Sequence, residues 1–197
     1  MNITTRLATI EDASEIASLL NKSVTSLCAE KYSNEQINTV VNYFDEDFYL
    51  EKITNHYRII YVAETNEKIV GFGSISEDGR AICDIFVLPN YARQGIASLL
   101  LDKLEQIALG KGVSKLWVMA SLTAQPFYAT CGFNYEKDCA LIDAETGIKF
   151  PCVDMTKVLS RNKNFQGKNQ GDYADLSALT VPQFVKLGIK ILLGSTQ

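Results

Sequence analysis

The sequence is poor in the residues that build metal sites and histidine-based catalytic sites. Its 197 residues include one histidine, one tryptophan and five cysteines without a Cys-x-x-Cys pair. Structural zinc sites need clustered cysteine and histidine ligands, so we predict that the protein holds no metal. A histidine-based triad would have to use His56, and no G-x-S-x-G motif accompanies it. The odd number of unpatterned cysteines is typical of a protein in a reducing cytoplasm.

Two further absences concern membranes and nucleic acids. The chain has no run of about 18 apolar residues that would span a bilayer, and residues 1–6 lack the basic-then-apolar pattern of a signal peptide. The formal net charge is −4 and the isoelectric point is about 5.1. This charge argues against nucleic-acid binding, because basic residues are needed to neutralise the phosphates. Hydrophobic residues at 47% and charged residues at 21% are typical of a globular chain. We therefore expect a cytoplasmic globular protein without a nucleic-acid partner.

Charge and composition divide the chain near residue 160. Residues 1–159 contain 14 basic and 21 acidic residues, a net charge of −7, whereas residues 160–197 contain five basic and two acidic ones, a net charge of +3. Residues 160–171 are polar and rich in Gly, Asn and Gln, which is typical of a linker. Apolar residues at helical spacing in residues 172–197 predict an amphipathic helical appendage. Such a helix would pack on the domain, form a homodimer contact or lie at a membrane interface.

Within residues 1–159 the pattern alternates between strand and helix. Two β-like runs, Arg58 to Glu64 and Lys68 to Ser76, are separated by a short turn, which predicts an antiparallel hairpin. Apolar residues recur at helical intervals from Ile96 to Ile107, and this run ends at Gly110. Hairpins that alternate with helical crossovers predict an α/β fold whose sheet is partly antiparallel and partly parallel.

One strand-loop-helix segment has the features of a phosphate site. Between Ile82 and Leu101 a strand ends at Pro89, and a helix begins with the small residues Gly95 and Ala97. The first N–H groups of a helix lack intrahelical partners and carry the positive end of the helix dipole, so they attract a phosphate or pyrophosphate group. The segment lacks the G-K-[ST] of a Walker loop and the G-x-G-x-x-G of a dinucleotide site. An ordinary strand-to-helix turn is the alternative.

A second segment follows the next predicted strand and reads A-Q-P-F-Y-A-T-C-G-F from Ala124 to Phe133. Together, residues 87–97 and 124–133 resemble the V-x-P-x-x-[QR]-x-x-G-x-[GA] and A-x-x-F-Y-x-x-x-G-F signatures of the GNAT acyltransferase superfamily. The resemblance covers residues 1–159 in the family's order and spacing. It implies the GNAT acyltransferase fold, in which a mixed sheet has antiparallel N-terminal strands, a parallel pair at the cofactor cleft, and helices on its flanks.

The resemblance also implies acetyl-CoA as the co-substrate and an amine as the acceptor. The main chain at Phe86 and Val87 would bind the pantetheine arm. Two positions depart from the family pattern, because Ala92 stands where the family has Gln or Arg and Ser121 stands where many members have Asn. We predict a cofactor contact for the Ser121 hydroxyl. The pyrophosphate would lie on the loop and first helical turn, at Arg93, Gln94, Gly95, Ile96, Ala97 and Ser98.

Tyr128 is the candidate general acid, since the tyrosine of this signature points towards the leaving sulfur in the resembling family. A phenol with a pKa of about 10 can protonate a thiolate whose conjugate acid has a pKa of about 8.5. Asp84, on the strand before the loop, is the candidate general base, although a solvated or paired strand carboxylate explains it equally well. The other candidates for the base are a water chain, Glu77, Asp78 and His56.

The acceptor would bind to the N-terminal part of the domain. Residues 28–36 and 45–49 are candidates for lining its site, although a capped helix end and a solvated acidic loop explain the same residues. The acidic body favours a cationic amine. The predicted function is transfer of an acetyl group from acetyl-CoA to a primary amine of a small molecule or protein. The alternatives are a non-catalytic acyl-CoA-binding regulatory module and an interaction protein that acts through its C-terminal helix.

Overall fold

Strands and helices alternate along the chain with bounds close to those that the hydrophobic pattern predicts. The structure, a computed structural model, describes residues 2–160 and 189–193. The strands are β1 (Thr4–Leu7), β2 (Arg58–Thr65), β3 (Lys68–Ser76), β4 (Ala81–Val87), β5 (Lys115–Ser121), β6 (Asn134–Asp143), β7 (Lys149–Val158) and β8 (Ile189–Leu193). The helices are α1 (Ala13–Leu27), α2 (Asn34–Tyr43), α3 (Glu46–Thr54), α4 (Ile96–Gly110) and α5 (Gln125–Thr130).

All the strands belong to one mixed sheet. Its strand order is β1-β2-β3-β4-β5-β7-β6-β8, so the N-terminal strands lie towards one edge and the β6–β7 hairpin towards the other. Among the described strands, neighbours are antiparallel except for β4 and β5, which are parallel. The predicted α/β class, with antiparallel N-terminal strands and one parallel pair, is confirmed.

Helices cover both faces of this sheet. On the first face, which we call the α1–α3 face, helix residues such as Ile16 and Tyr49 bury strand residues such as Phe72. On the second, the α4–α5 face, Leu104 of α4 packs against Val118 and its neighbours. Burying one such aliphatic or aromatic side chain contributes about 1.5–3 kcal/mol, so these two apolar layers hold the sheet between the helices.

Strands β4 and β5 run side by side only at their N-terminal ends. On the other side of β4, the register with β3 shifts between Ser74 and Ile75, and this bulge accompanies the divergence of the strands. From Asp84 to Val87, β4 therefore pairs with β3 alone, and its opposite edge faces a cleft between β4 and β5. In the described part of the chain, the pairs that join β4 to β5 are Ala81–Trp117 and Ile82–Val118.

The acidic run at residues 45–47 forms the beginning of a helix. One interpretation of the sequence was a solvated acidic loop. These residues are exposed, as that interpretation expects, but the prediction of a loop is wrong. Asp45 caps α3, because its carboxylate accepts the Phe48 N–H at 2.9 Å. Glu46 and Asp47 follow in the first turn, where the helix dipole stabilises negative charge.

The C-terminal segment also differs from its prediction. Residues 189–193, inside the predicted helix 172–197, form strand β8, which pairs antiparallel with Cys139–Asp143 of β6. An edge strand presents unpaired backbone groups, and satisfying those of β6 outweighs a local helical periodicity. The rest of that predicted helix, and the predicted linker 160–171 beyond Ser160, lie outside the described residues, so the domain boundaries stay predictions.

Candidate active site

The N-terminus of α4 presents a row of free backbone donors. Its N-cap residue, Gly95, has a φ of 83°, a left-handed conformation that favours glycine. A Cβ built on Gly95 would have no atom within 4 Å, so the space in front of the helix is open. The N–H groups of Gly95, Ile96, Ala97 and Ser98 find no acceptor among the described residues. Four free donors at the positive end of a helix dipole are the geometry that binds an anion.

The side chains of this segment differ in what they can offer a ligand. Arg93 is exposed and has a φ of 60°, which turns the chain sharply before the helix. Gln94 folds its amide back onto the loop, since its Nε2 donates to the Asn90 carbonyl at 3.1 Å. Ile96 is buried against the sheet, so only its backbone is available. The Arg93 guanidinium is therefore the cation that this loop offers to an anionic ligand.

A close contact between α4 and β3 fixes the position of these donors. A Cβ on Gly71 would lie 3.0 Å from Cγ2 of Ile96 and 3.1 Å from the Phe86 carbonyl oxygen. Both distances are shorter than a methyl group tolerates, so glycine at this position allows Ile96 to dock on the sheet. The first turn of α4 is thereby held beside the C-terminal end of β4.

Phe86 and Val87 lie on the open part of β4. They pair with Phe72 and Gly71 of β3 on one side, while β5 has diverged on the other. The Phe86 ring lies on the α1–α3 face, with its centroid 5.6 Å from that of Phe72. The cleft is thus bordered by the backbone edge of β4, to which an extended ligand can hydrogen-bond like an added strand.

Tyr128 is buried in α5, with its ring edge-on to the rings of Phe127 and Phe133. Burial raises the pKa of Tyr128 well above its ordinary value, and the nearby Asp84 carboxylate raises it further. The phenol therefore keeps its proton at neutral pH.

Asp84 is a buried and paired carboxylate. It is 5% exposed, and its Oδ2 accepts the Arg58 Nη1 donor at 2.6 Å and the Ser74 hydroxyl. The sheet brings these residues together, because Ser74 lies opposite Asp84 on β3 and Arg58 begins β2. Of the interpretations of Asp84, the solvated carboxylate is wrong and the paired carboxylate is confirmed, whereas its action as a base stays a prediction.

Arg58 belongs to this site, although neither motif indicates it. Its side chain is 9% exposed, and its guanidinium carbon lies 5.0 Å from the centroid of the Phe48 ring. Burial lowers the pKa of Arg58, but its neighbours, with the Asp84 carboxylate first among them, together raise it above its ordinary value. The sequence signal that could have indicated Arg58 is an arginine at the start of an apolar strand. Such an arginine is buried with its strand, and a buried cation requires a buried anion nearby.

Tyr32, within the predicted acceptor segment 28–36, ties the α1–α2 connection to the end of β5. Its hydroxyl accepts the Leu122 N–H at 2.7 Å and donates to a carbonyl of β7 at 2.7 Å. Its ring stacks flat on Phe150 at 3.9 Å. Ser121 accepts the Ala124 N–H at 3.1 Å, which stabilises the turn into α5. The predicted cofactor contact of Ser121 stays a prediction.

The remaining candidates for the base lie elsewhere on the sheet. Glu77 and Asp78 are exposed in the β3–β4 turn, where Asp78 accepts the Arg80 N–H at 3.1 Å. His56 is exposed in the turn that precedes β2, with a φ of 55°. Both turns lie at the end of the sheet opposite to the α4 loop, so these three residues border a different region from the cleft.

The described residues contain neither a metal-binding cluster nor a membrane-spanning helix. Within residues 2–160, no group of three or more His, Cys, Asp or Glu side chains is arranged to hold a metal ion. In the same part of the chain, no helix combines the length and the apolar character that crossing a bilayer requires.

Comparison with known proteins identifies the family. The sequence profile of the acetyltransferase (GNAT) domain matches residues 28–159, which include both the α4 loop and α5. The chain belongs to the GNAT family. It is 35% identical over 126 residues to the uncharacterized N-acetyltransferase YafP of Escherichia coli strain K12, an alignment that covers 64% of this chain and 77% of YafP.

Solved GNAT structures are similar in fold. A GCN5-related N-acetyltransferase from Rhodopseudomonas palustris, whose description also reads aminotransferase, class-II, superposes with a TM-score of 0.74 and 26% identity. That match covers 81% of this chain and 97% of the other. The PaiA N-acetyltransferase from Thermoplasma acidophilum, solved in complex with coenzyme A, superposes with a TM-score of 0.68 and 21% identity, over 81% of this chain and all of the other.

The resemblance predicted from the two motifs is therefore confirmed. As a GNAT protein this chain is an acetyltransferase enzyme, and the family's acetyl donor is acetyl-CoA. The relatives leave the acceptor open, because YafP is itself uncharacterized.

Proposed function

We propose that this GNAT enzyme transfers an acetyl group from acetyl-CoA to a primary amine of a small molecule or protein. The observation that supports this most is the convergence of three features on one cleft. These are the free donors at the α4 N-terminus, the open edge of β4, and Tyr128 of α5, whose pKa is raised by burial and by the Asp84 carboxylate.

The residues present around the cleft fit acetyl-CoA. The N–H groups of residues 95–98 suit a pyrophosphate, and Arg93 adds a charge-assisted contact. The backbone edge at Phe86 and Val87 suits the amide-containing pantetheine arm, and Ser121, at the end of β5, is the further proposed contact. When bound, acetyl-CoA supplies the thioester whose acetyl group is transferred.

Tyr128 acts in this proposal as the general acid. It holds a proton on its phenol oxygen and donates it to the sulfur as the bond between sulfur and the acetyl carbon breaks. Holding donor and acceptor in a reactive geometry supplies up to about 7–11 kcal/mol. A placed acid contributes about 10²–10⁴-fold in rate. Positioning by the α4 loop and β4 is therefore the larger contribution, and Tyr128 adds to it.

Asp84 is the proposed acceptor of the amine proton. Its Oδ2 is occupied by Arg58 and Ser74, so the proton would go to Oδ1. The two hydrogen bonds hold the carboxylate in one orientation. Its negative charge also favours a cationic acceptor, which arrives as an ammonium and must lose a proton before it attacks.

The compartment that we propose is the cytoplasm. All five cysteines are free thiols, and Cys28, Cys139 and Cys152 are buried. Free cysteines are typical of a reducing compartment. A homodimer formed through the C-terminal segment also remains a proposal.

The pH dependence of the chemical step follows from the burial of Tyr128. A general acid must be protonated, and burial raises the pKa of Tyr128 above its ordinary value. We therefore expect kcat, measured as thiol release at saturating substrates, to rise as the amine deprotonates and then to stay level up to about pH 10. Circular dichroism at each pH is the control for folding. A decline in kcat that begins below about pH 9 would argue against Tyr128 as the acid.

The test of the cofactor site is Gly95→Asp. An aspartate at this N-cap would place its carboxylate among the free N–H groups, where it competes with the pyrophosphate and repels it. We expect acetyl-CoA to bind about 30–100-fold more weakly, because a close like charge in a partly exposed site costs about 2–3 kcal/mol. Isothermal titration calorimetry with acetyl-CoA measures this change.

Gly147→Asp is the matched control. Gly147 has a φ of 72°, and, like Gly95, it has no atom within 4 Å of a built Cβ. The two variants therefore carry a similar backbone strain and the same added charge, but Gly147 lies in the β6–β7 turn. Acetyl-CoA should bind to Gly147→Asp as to the unmodified protein. Equal losses of affinity in the two variants would contradict a pyrophosphate site at α4.

A non-catalytic acyl-CoA-binding module is the alternative. The observation that favours it is the pairing of Asp84 with Arg58, because a buried and paired carboxylate is less available to accept a proton than an exposed one. The two functions differ in one assay. An enzyme releases coenzyme A thiol from acetyl-CoA when an amine panel is added, whereas a binding module is stabilised by acetyl-CoA against heat and releases no thiol.

A further inference from the structure

Tyr49 of α3 is a buried phenol that the proposed mechanism does not use. Its side chain is fully buried, at 0% exposure. Its hydroxyl has no hydrogen-bond partner of normal geometry among the described residues. Buried hydroxyls are nearly always hydrogen-bonded, because leaving one without a partner is costly. Apolar packing would be served as well by a phenylalanine, so the hydroxyl of Tyr49 needs a separate explanation.

Packing places Tyr49 over the part of the sheet that carries Asp84. The Tyr49 ring is edge-on to the ring of Phe72 on β3, with the two centroids 5.4 Å apart. Ser74 lies two residues further along β3, so its side chain is on the same face as that of Phe72. The Ser74 hydroxyl donates to Oδ2 of Asp84. The phenol and the carboxylate therefore approach the same buried stretch of β3, one from the helix and one from the sheet.

Helix α3 interacts with the Arg58–Asp84 pair in two further ways. The ring centroid of Phe48, the residue before Tyr49, lies 5.0 Å from the guanidinium carbon of Arg58. Burial raises the pKa of Tyr49 well above its ordinary value, and Asp84 raises it further through its charge and a weak hydrogen bond. This contact falls short of a full hydrogen bond. Tyr49 is thus an uncharged neighbour of the carboxylate whose hydroxyl is poorly bonded in the resting enzyme.

Uptake of a proton changes what the Asp84 carboxyl group needs from its surroundings. Oδ2 accepts hydrogen bonds from Arg58 and Ser74, so in the proposed reaction the amine proton goes to Oδ1. The new O–H is a donor, and a donor in a buried site requires an acceptor. A phenol oxygen can accept as well as donate. A hydrogen bond that forms only as the proton arrives stabilises the transition state more than the resting enzyme, so it raises kcat.

We propose that Tyr49 is a positioning residue whose hydroxyl oxygen accepts the O–H of Asp84 when that carboxyl group holds the amine proton. This inference rests on the proposed acetyl transfer and on Asp84 as its base. In this step the N–H bond of the amine breaks and the O–H bond of Asp84 forms, while Tyr49 keeps its own proton. The poorly bonded phenol of the resting enzyme thereby gains its partner during the reaction.

The kinetic test is Tyr49→Phe, which removes the hydroxyl and retains the ring. We expect kcat for thiol release to fall about tenfold, with the KM of acetyl-CoA and of the amine within about twofold of their original values. The urea midpoint of unfolding should stay the same or rise, because a poorly bonded buried hydroxyl has been removed. An unchanged kcat, or a lower unfolding midpoint, would overturn the proposal.

Tyr57→Phe is the matched control for the loss of a phenol hydroxyl near the same helix. Tyr57 is 53% exposed and directly precedes β2. This variant should keep kcat, both KM values and the unfolding midpoint. A tenfold loss of kcat in Tyr57→Phe as well would show that the effect is not specific to the hydroxyl of Tyr49.

A second experiment is independent of activity. In Asp84→Asn the amide has the shape of the protonated carboxyl group. Arg58 and Ser74 hold its oxygen in the place of Oδ2, so its NH₂ group takes the place of Oδ1. In this background the phenol has a partner, and adding Tyr49→Phe should lower the urea midpoint by about 0.5 M. The same response to Tyr49→Phe with and without Asp84→Asn would contradict the proposal.

Two provisions keep these outcomes separable. Asp84→Asn leaves Arg58 buried without its anion, so if this variant does not fold, the comparison is made with Arg58→Met added to both proteins. If no amine of the panel gives thiol release, that result counts against the proposed acetyl transfer. The unfolding comparison then decides by itself whether Tyr49 accepts a hydrogen bond from a neutral group at position 84.

Discussion

Tyr128→Phe is expected to lower kcat by about 10²–10⁴-fold and to leave acetyl-CoA affinity within about twofold of the original value. The substitution removes only the hydroxyl, so the ring packing against Phe127 and Phe133 is retained. The proton that the phenol held for the leaving sulfur is lost, whereas the contacts proposed for acetyl-CoA lie on α4 and β4. Steady-state thiol release at saturating amine gives kcat, and calorimetry gives the dissociation constant.

Tyr135→Phe controls for the loss of a tyrosine hydroxyl in itself. Tyr135 is 53% exposed on β6, so its variant should keep both kcat and the unfolding midpoint. If Tyr128 is a structural residue, Tyr128→Phe will lower the unfolding midpoint and acetyl-CoA affinity along with kcat. That joint loss would remove the case for an acid at this position.

Arg58→Met is expected to lower the free energy of unfolding by about 3–5 kcal/mol. The variant leaves the Asp84 carboxylate buried without its cation, and the Ser74 hydroxyl alone cannot offset the cost of desolvating a charge. Urea unfolding, followed by circular dichroism at neutral pH, measures the change. The double variant Arg58→Met with Asp84→Leu should recover much of the loss, because no charge then remains buried.

Lys115→Met provides the comparison at an exposed ion pair. The Lys115 and Glu136 side chains are 57% and 45% exposed, and the two charges lie 3.5 Å apart. Water and salt screen such a pair, so its loss should cost less than about 1 kcal/mol. A similar, small cost for Arg58→Met would mean that the Asp84 carboxylate is stabilised by something other than Arg58.

Two predictions that depended on neighbouring residues alone were accurate. The donors at the α4 N-terminus come from consecutive residues, and the left-handed Gly95 that begins the helix is visible as a glycine within the motif. The β2–β3 hairpin likewise follows from two apolar runs around a short turn. Backbone geometry of this kind is set within a few residues, so a contiguous pattern was enough to predict it.

Contacts between side chains on different strands could not be predicted from the sequence. Arg58 and Asp84 are 26 residues apart, and Tyr32 and the Leu122 N–H are 90 apart. Whether two such groups meet depends on strand register, because a shift of one residue moves a side chain to the other face. Asp84 thus remained either solvated or paired until β2, β3 and β4 were aligned.

The sequence by itself determined the family and the turn at Gly95 that begins α4, because motifs are properties of the linear chain. The tertiary structure decided that residues 189–193 form a strand and that Asp84 is paired with Arg58. These features arise when distant segments satisfy each other's backbone groups, charges and apolar surfaces. Such long-range pairing overrides local preference, since its contribution exceeds the few tenths of a kcal/mol that typically separate one local propensity from another.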